Sequence, residues 1–528
     1  MSCSAYAAAT ALELPLQGKR VDTMAIGMTS SVPSTLWELI QTAPGDSVAI
    51  ISPETGTALT YDDLRTQVSA VADMFATAGI RKGDRIAIAL PNGIPVLICF
   101  LAASVAGTAA PLNLAYREEE FAFYLEDTSA KLLIVPVEGG DEARRAAGNA
   151  IPVFTASMEG HNVLLSGATR SVTAPDPDPD QIALILHTSG STGRPKRVPI
   201  SHRNLAVSAR NIAAHYALTP EDVSLCVMPL FHVHGLVASV LATLYSRGRI
   251  VVPGKFNALS FWRTVRDYGA TWYSAVPTIH RVLLARAGNQ RAAGIETLRF
   301  IRSCSAPLSP EHMHQMEQVF GVPVLEAYGM TEASHQMSSN PLPPLARKPG
   351  TVGSATGIDI GIMDAEGNLL PPNTPGEVVI RGESVVKGYE NNPDANATSF
   401  TNGWFRTGDQ GVLDEEGYLR LVGRLKEMIN RGGEKISPRE LDEVLLTHPA
   451  IAEAVCFGFN HPTWGEEVAA AVVLRPDTPV TESELLAFCK KHLADFKRPK
   501  KIHIVETIPR TATGKIQRRA VAAAFAMA

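Results

Sequence analysis

The nine residues Thr188-Ser189-Gly190-Ser191-Thr192-Gly193-Arg194-Pro195-Lys196 gather four hydroxyls, two glycines and a lysine. Glycines let backbone N–H groups approach phosphate oxygens, Ser and Thr add hydroxyl donors, and a lysine adds a point charge. The segment therefore reads as a polyphosphate grip, although its spacing is not the GxxxxGK[ST] of the ordinary P-loop. Four further segments carry groups of comparable use. Glu326-Ala-Tyr-Gly-Met-Thr-Glu332 offers an aromatic ring, a glycine, a hydroxyl and a carboxylate, and Trp404-Phe-Arg-Thr-Gly-Asp409 places a carboxylate at a turn. Gly423-Arg424-Leu425-Lys426 supplies two cations, and Pro509-Arg-Thr-Ala-Thr-Gly-Lys515 sets a lysine on a glycine turn near the end of the chain.

These groups need a scaffold. The apolar run Ile182-Ala-Leu-Ile-Leu186 predicts a buried strand before the grip, and Ser201 opens an amphipathic pattern through Leu205, Val207 and Ile212 that predicts a helix after it. Residues 34–136 alternate apolar runs (47–52, 84–90, 131–135) with helical patterns (61–78, 96–106), the rhythm of a parallel sheet with crossover helices. A second alternating block covers 223–324, with strand candidates at 249–252 and 270–276. The repeat Pro175-Asp-Pro-Asp-Pro-Asp180 fits neither helix nor central strand and reads as a stiff connector. After Thr351 short strands and turns predict a small β-rich subdomain.

Beyond Gly423 a separate unit begins. Ser437 and Pro438 cap a helix through Leu446, strands follow at 454–459 and 468–474, and a helix covers 482–492. The predicted class is α/β: a large N-terminal domain of two packed α/β subdomains plus the β-rich subdomain, a hinge, and a small mobile α+β C-terminal domain. The boundaries drawn are a loose tail over 1–32, the large domain over 33–423, the hinge over 424–427 and the C-terminal domain over 428–528, with Met24 or Met28 as candidate true starts.

Composition bounds the function. At 528 residues the chain exceeds one ordinary core. Its 19% charged and 45% hydrophobic residues suit a globular enzyme, and a net charge of -5 excludes bulk nucleic-acid binding, which needs a basic face. Any anionic ligand must then be held by local cations. Six cysteines stand without a CxxC pair or zinc spacing, so a reducing, cytoplasmic setting is expected. The uncharged stretch from Pro91 to Tyr116 is interrupted by Pro95, Gly107, Pro111 and Asn113, which predicts a buried helix and no membrane span. The N-terminus lacks the pattern of a signal peptide, and the terminal Phe-Ala-Met-Ala is not an SKL-type address.

The five segments, in this order, closely resemble those of the acyl-adenylate-forming superfamily, which includes acyl-CoA synthetases, 4-coumarate:CoA ligases, luciferases and peptide-synthetase adenylation domains. The resemblance covers about residues 35–522. It implies that Thr188, Ser189, Gly190, Ser191, Thr192, Gly193 and Lys196 embrace the β- and γ-phosphates of ATP, and that Tyr328 stacks on adenine. It further implies that Thr331 contacts the α-phosphate, that Glu332 holds Mg²⁺ and that Asp409 accepts both ribose hydroxyls. Arg424 would support the ribose and phosphates, Lys426 would mark the hinge, and Gly433 and Lys435 would lie on the loop that meets coenzyme A and the nucleotide. Lys515 would stabilise the charge that builds on the α-phosphorus as a carboxylate attacks it and expels pyrophosphate. A chain departure is Arg197, where the family commonly has glycine; it adds positive charge near the phosphates.

The resemblance also locates the acid. Its walls would be Phe231-His-Val-His-Gly-Leu, Ser303-Cys-Ser-Ala-Pro and the residues after Glu332. A fatty or aromatic acid needs apolar walls. Here stand His232, a common gate in the family, and His234, Cys304, Ser305, Ser334 and His335. His234, Ser305 and His335 suit the second carboxylate of a short diacid, whose burial unpaired is costly. The strings SCSA and MTEASHQM resemble the oxalate:CoA ligase branch. The implied activity is ATP-dependent acid:CoA ligation through an acyl-adenylate, with oxalate as the acid and ATP, Mg²⁺ and coenzyme A as cofactor and co-substrates. A ligase for a fatty or coumarate-like acid, a luciferase-like oxygenase and a non-catalytic nucleotide-binding protein stand as alternatives, and monomer and homodimer are both open.

Overall fold

The computed structural model describes residues 32–188, 195–287, 295–511 and 516–525. The chain divides into two compact units, residues 1–33 and 34–528, and the architecture below is that of the second.

Alternation of apolar and polar residues continues past the grip segment. Val198 and Ile200 are fully buried, while Lys196, Arg197 and Pro199 are half-buried. This period of two makes Lys196–Ser201 a strand, antiparallel to Ile182–Thr188 with Thr188 opposite Lys196. The strands on either side of the grip thus form a β-hairpin, and the direct strand-to-helix passage read from the sequence is corrected. Pro199 fits because the strand lies at the sheet edge, where a missing N–H interrupts no ladder. The helix then begins as predicted, at His202–His215, with Ser201 Oγ accepting from Asn204 N and Asn204 Oδ1 accepting from Ser201 N, each at 3.1 Å.

This hairpin closes a seven-stranded sheet in the order Asn162–Ser166, Val153–Glu159, Ala130–Pro136, Arg85–Ile88, Thr108–Pro111, Ile182–Thr188, Lys196–Ser201, parallel in its interior and antiparallel at both edges. A nine-stranded sheet runs Ser354–Ala355, His335–Ser339, Val324–Met330, Phe300–Ser303, Trp272–Ala275, Val223–Cys226, Arg249–Val251, Val48–Ile51, Ala58–Thr60. The strand Val48–Ile51 belongs to this second sheet, parallel to Arg249–Val251, although its place in the chain suggested the first. Apolar alternation specifies a strand and not its neighbour; here Tyr61 Oη donates to Gly248 O at 2.9 Å and holds the juncture.

One apolar core joins strands of both sheets to the helices Tyr61–Thr77, Ile94–Ala106 and His202–His215. In Ile94–Ala106 every residue except Pro95 is buried, as the uncharged stretch predicted, and among the described residues no helix is long and apolar enough to cross a membrane. A five-stranded antiparallel sheet follows, containing Asp359–Met363, Gly376–Arg381, Phe400–Thr401, Trp404–Leu413 and Leu419–Arg424. The last sheet has its own core around Ile429, Leu441, Leu445, Cys456, Val468 and Leu485. Its helices Pro438–Leu446, N-capped by Ser437, and Glu482–His492 match the sequence reading residue for residue. The mixed α/β class read from the sequence is the one observed.

Candidate active site

Strand pairing assembles the residues that the resemblance assigns to the nucleotide. Asp409 lies inside the strand Trp404–Leu413, not at a turn, opposite Arg424 on Leu419–Arg424. Gly408 at φ +74 supplies the local kink that the sequence suggested as a turn. Arg424 Nε lies 3.0 Å from Asp409 Oδ1, and Tyr328 Oη, from Val324–Met330, donates to Asp409 Oδ2 at 2.5 Å. A carboxylate offers about four lone-pair sites, so each oxygen retains acceptor capacity. Burial, then the negative charge of Asp409, pushes the Tyr328 phenol well up, and Asp409 raises the Arg424 guanidinium. Tyr328 is buried, with the phenol fixed.

After that strand a single turn, Thr331–Ala333, buries Thr331 and Glu332. Tyr389 Oη donates to Glu332 Oε1 at 2.7 Å. Burial raises the Glu332 carboxyl, with Tyr389 opposing. The other face of Tyr389 meets the hairpin, since Lys196 Nζ stands 4.4 Å from its ring centroid. Burial lowers the Lys196 ammonium, helped by the charge of Lys426, which lies in the turn Leu425–Glu427. Thus the hairpin base, the carboxylate and the turn Leu425–Glu427 converge. Ser189, Gly190, Ser191, Thr192, Gly193 and Lys515 lie outside the described residues.

Arg197 is engaged by carboxylates of other segments. It reaches Asp127 through its carboxylate and its carbonyl, and lies 3.5 Å from Glu390 Oε2, whose Oε1 is bridged by Arg85. Glu390 N also donates to Arg197 O at 3.0 Å. Neighbouring carboxylates take its guanidinium, and it fastens the strand that follows the grip.

The residues that the resemblance assigns to the acid form one polar cluster, with His234 and His335 buried. His234 and His335 rings lie 5.4 Å apart, His234 Nδ1 is 2.9 Å from Ser305 Oγ, and His232 Nδ1 accepts from His234 N at 3.3 Å. Ser334 does not join them, because its hydroxyl donates to Ser384 O at 2.8 Å. At the centre is a residue that sequence reading missed, Arg302, fully buried on Phe300–Ser303. A lone arginine in an apolar strand was its signal. Its partners are Tyr216 Oη at 3.0 Å, Ser274 Oγ at 2.8 Å, Gln336 Oε1 at 2.9 Å, His234 Nε2 at 3.3 Å and His335 Nδ1 at 3.4 Å. Burial first, then Arg302, pushes both imidazoles well below their ordinary range. Nearby, Glu326 Oε1 accepts from Leu308 N at 3.0 Å while Oε2 is buried without a partner among the described residues. Burial pushes this carboxyl up to about 7 against the pull of Arg439.

Gly432 and Gly433 occupy the two-residue turn between Ile429–Arg431 and Glu434–Ile436, at φ +60 and +98. Such turns require positive φ at both positions, and a Cβ on Gly432 would meet the Trp464 ring at 2.9 Å. The turn itself therefore accounts for the glycine pair. Lys435 is exposed on the following strand.

With a carboxylate and an arginine on paired strands near Lys196, residues 36–390 match the family model described as AMP-binding enzyme, and residues 440–515 match the AMP-binding enzyme C-terminal domain. The chain belongs to the AMP-binding enzyme family. It is 50% identical over 468 residues to an oxalate–CoA ligase of Arabidopsis thaliana, covering 86% of this chain and 91% of the relative. It is 45% identical over 520 residues to an oxalate–CoA ligase of Saccharomyces cerevisiae, covering 91% and 95%. The ATP-bound crystal structure of MatB from Rhodopseudomonas palustris superposes with a TM-score of 0.87 at 30% identity, covering 93% of this chain and 99% of that one.

Proposed function

We propose that this chain is an ATP-dependent acid:CoA ligase whose acid is oxalate. One carboxylate of the acid attacks the α-phosphorus of ATP, giving an acyl-adenylate and pyrophosphate. The thiol of coenzyme A then attacks the acyl carbon, giving the thioester and AMP. The observation that carries the choice of acid is the buried polar cluster of His234, Ser305 and His335 around Arg302, where an alkyl or aryl tail would find no apolar wall.

In this reading Thr188, Lys196 and the residues between them grip the departing pyrophosphate. Tyr328 lies against adenine, Asp409 and Arg424 take the ribose, and Thr331 meets the α-phosphate. His232 gates the carboxylate, and Lys515 stabilises the charge of the transition state. The C-terminal domain turns at Lys426 between half-reactions, bringing Gly433 and Lys435 to the site. Glu332 fits a magnesium ion, because one oxygen is held by Tyr389 and a single carboxylate beside substrate phosphates is a common Mg²⁺ setting. When bound, the ion would neutralise phosphate charge. Five described cysteines are free and buried, which suits the cytoplasmic placement.

The test is pyrophosphate release from enzyme, ATP and Mg²⁺ with a panel of acids, followed by thioester formation on adding coenzyme A. Oxalate should lead the panel. Preference for octanoate or coumarate would overturn the acid, and no pyrophosphate with any acid would overturn the ligase.

A further inference from the structure

Arg302 is a cation without an anion. It is fully buried, it forms no ion pair with any described carboxylate, and all five of its N–H groups are directed at neutral acceptors. Leaving a guanidinium so placed is costly unless a negative charge arrives to offset it.

The same bonds favour one proton position on each imidazole. A guanidinium can only donate, so His234 Nε2, 3.3 Å from Arg302 Nη1, is an acceptor. Ser274 Oγ, 2.6 Å from the same nitrogen, accepts from Arg302 at 2.8 Å and sends its own proton to His234, the shorter of two donations that share the single Nε2 lone pair. The His234 proton therefore sits on Nδ1 and is donated to Ser305 Oγ at 2.9 Å. With its oxygen accepting there, the Ser305 hydroxyl proton is left to donate elsewhere. By the same rule His335 Nδ1 accepts from Arg302 Nη2, which puts its proton on Nε2, and Nε2 makes no hydrogen bond to a described residue. Arg302 thus turns two imidazoles and a serine into a set whose spare groups are all donors.

We infer that Arg302 is the positioning and specificity-determining residue of the acid site: it fixes His234 and His335 as neutral tautomers that leave the Ser305 hydroxyl and His335 Nε2–H free for the two oxygens of a second carboxylate, and it supplies the positive charge that such a dianion requires. Arg302 does not touch the substrate, since its donors are fully engaged. This rests on the short-diacid reading above, but the protonation states are measurable without any substrate.

Nitrogen-15 NMR of histidine-labelled enzyme, with His234 and His335 assigned through their asparagine variants, should show at pH 7 a neutral Nδ1–H ring for His234 and a neutral Nε2–H ring for His335. Two protons on either ring, or the opposite tautomer, overturns the inference. In kinetics, Arg302→Met should raise the KM for oxalate about 30-fold and leave that for ATP within about twofold, with Arg302→Lys recovering part of the loss. Its preference for oxalate over glyoxylate, which has one carboxylate, should fall. An unchanged oxalate KM in Arg302→Met that still binds ATP overturns the inference. If Arg302→Met does not fold, the wild-type NMR result decides alone. If the wild-type enzyme ignores oxalate and takes another acid, the proposed substrate falls while the tautomers still judge Arg302.

Discussion

The phenol of Tyr328 and the carboxylate of Asp409 share a 2.5 Å hydrogen bond across two sheets, and Arg424 holds the other oxygen at 3.0 Å. Asp409 is therefore oriented from both sides before any nucleotide arrives. Tyr328→Phe should keep the ring and lose the orientation, raising the KM for ATP about 5-fold with little change in kcat. Asp409→Ala should raise it about 100-fold, because Arg424 is also left unpaired. Initial rates of pyrophosphate release against ATP concentration separate the two outcomes.

Arg197 ties the hairpin base to Asp127 and Glu390. Arg197→Gly, which installs the residue common in the family, should destabilise the protein by about 1–3 kcal/mol because two partly buried carboxylates each lose one of their partners. It should also weaken ATP binding about threefold through a looser hairpin. Thermal melting with and without ATP reports both effects.

Glu326 gives stability a pH dependence of definite sign. Its folded-state carboxyl stands at about 7, above the ordinary 4.5, so the folded chain binds the proton more tightly than the unfolded chain. Its contribution is full below 4.5 and is lost as pH rises through 7. The loss at pH 8 amounts to about 3 kcal/mol. Glu326→Gln should melt above the wild type at pH 8 and converge with it at pH 5. Parallel melting curves for the two proteins across this range would refute the assignment.

Lys515→Ala should lower adenylation by about 1,000-fold while thioester formation from supplied acyl-adenylate continues near the wild-type rate. Equal loss of both half-reactions would contradict a C-terminal domain that presents different faces in turn. Single-turnover measurements of pyrophosphate and thioester make the distinction.

Local signals were legible where local physics decides. Ser201, Ser437 and Pro438 announced their helices because caps satisfy N–H groups within a few residues, and the family and ligase class followed from motif segments whose order survives in the chain. The hairpin strand Lys196–Ser201 escaped because it starts on the last residue of the grip, so its alternation was divided between two readings. Arg302 escaped for a different reason. Its partners Tyr216, Ser274 and Gln336 come from three separate parts of the chain, and only the sheet order brings them round one guanidinium. Arg197 was visible as a departure, but Asp127 and Glu390 were not visible as its partners.

The pairing of Ile50 with Ile250 sets an order of events during synthesis. The interior of the nine-stranded sheet is completed by a segment made about two hundred residues earlier, so Val48–Ile51 must wait, with an exposed edge, until Arg249–Val251 leaves the ribosome. A fragment ending after the seven-stranded sheet would carry that strand without its partner and should aggregate, whereas one ending after Arg424 contains both sheets whole. The smallest N-terminal fragment able to fold unaided is therefore larger than either of the two large sheets taken alone.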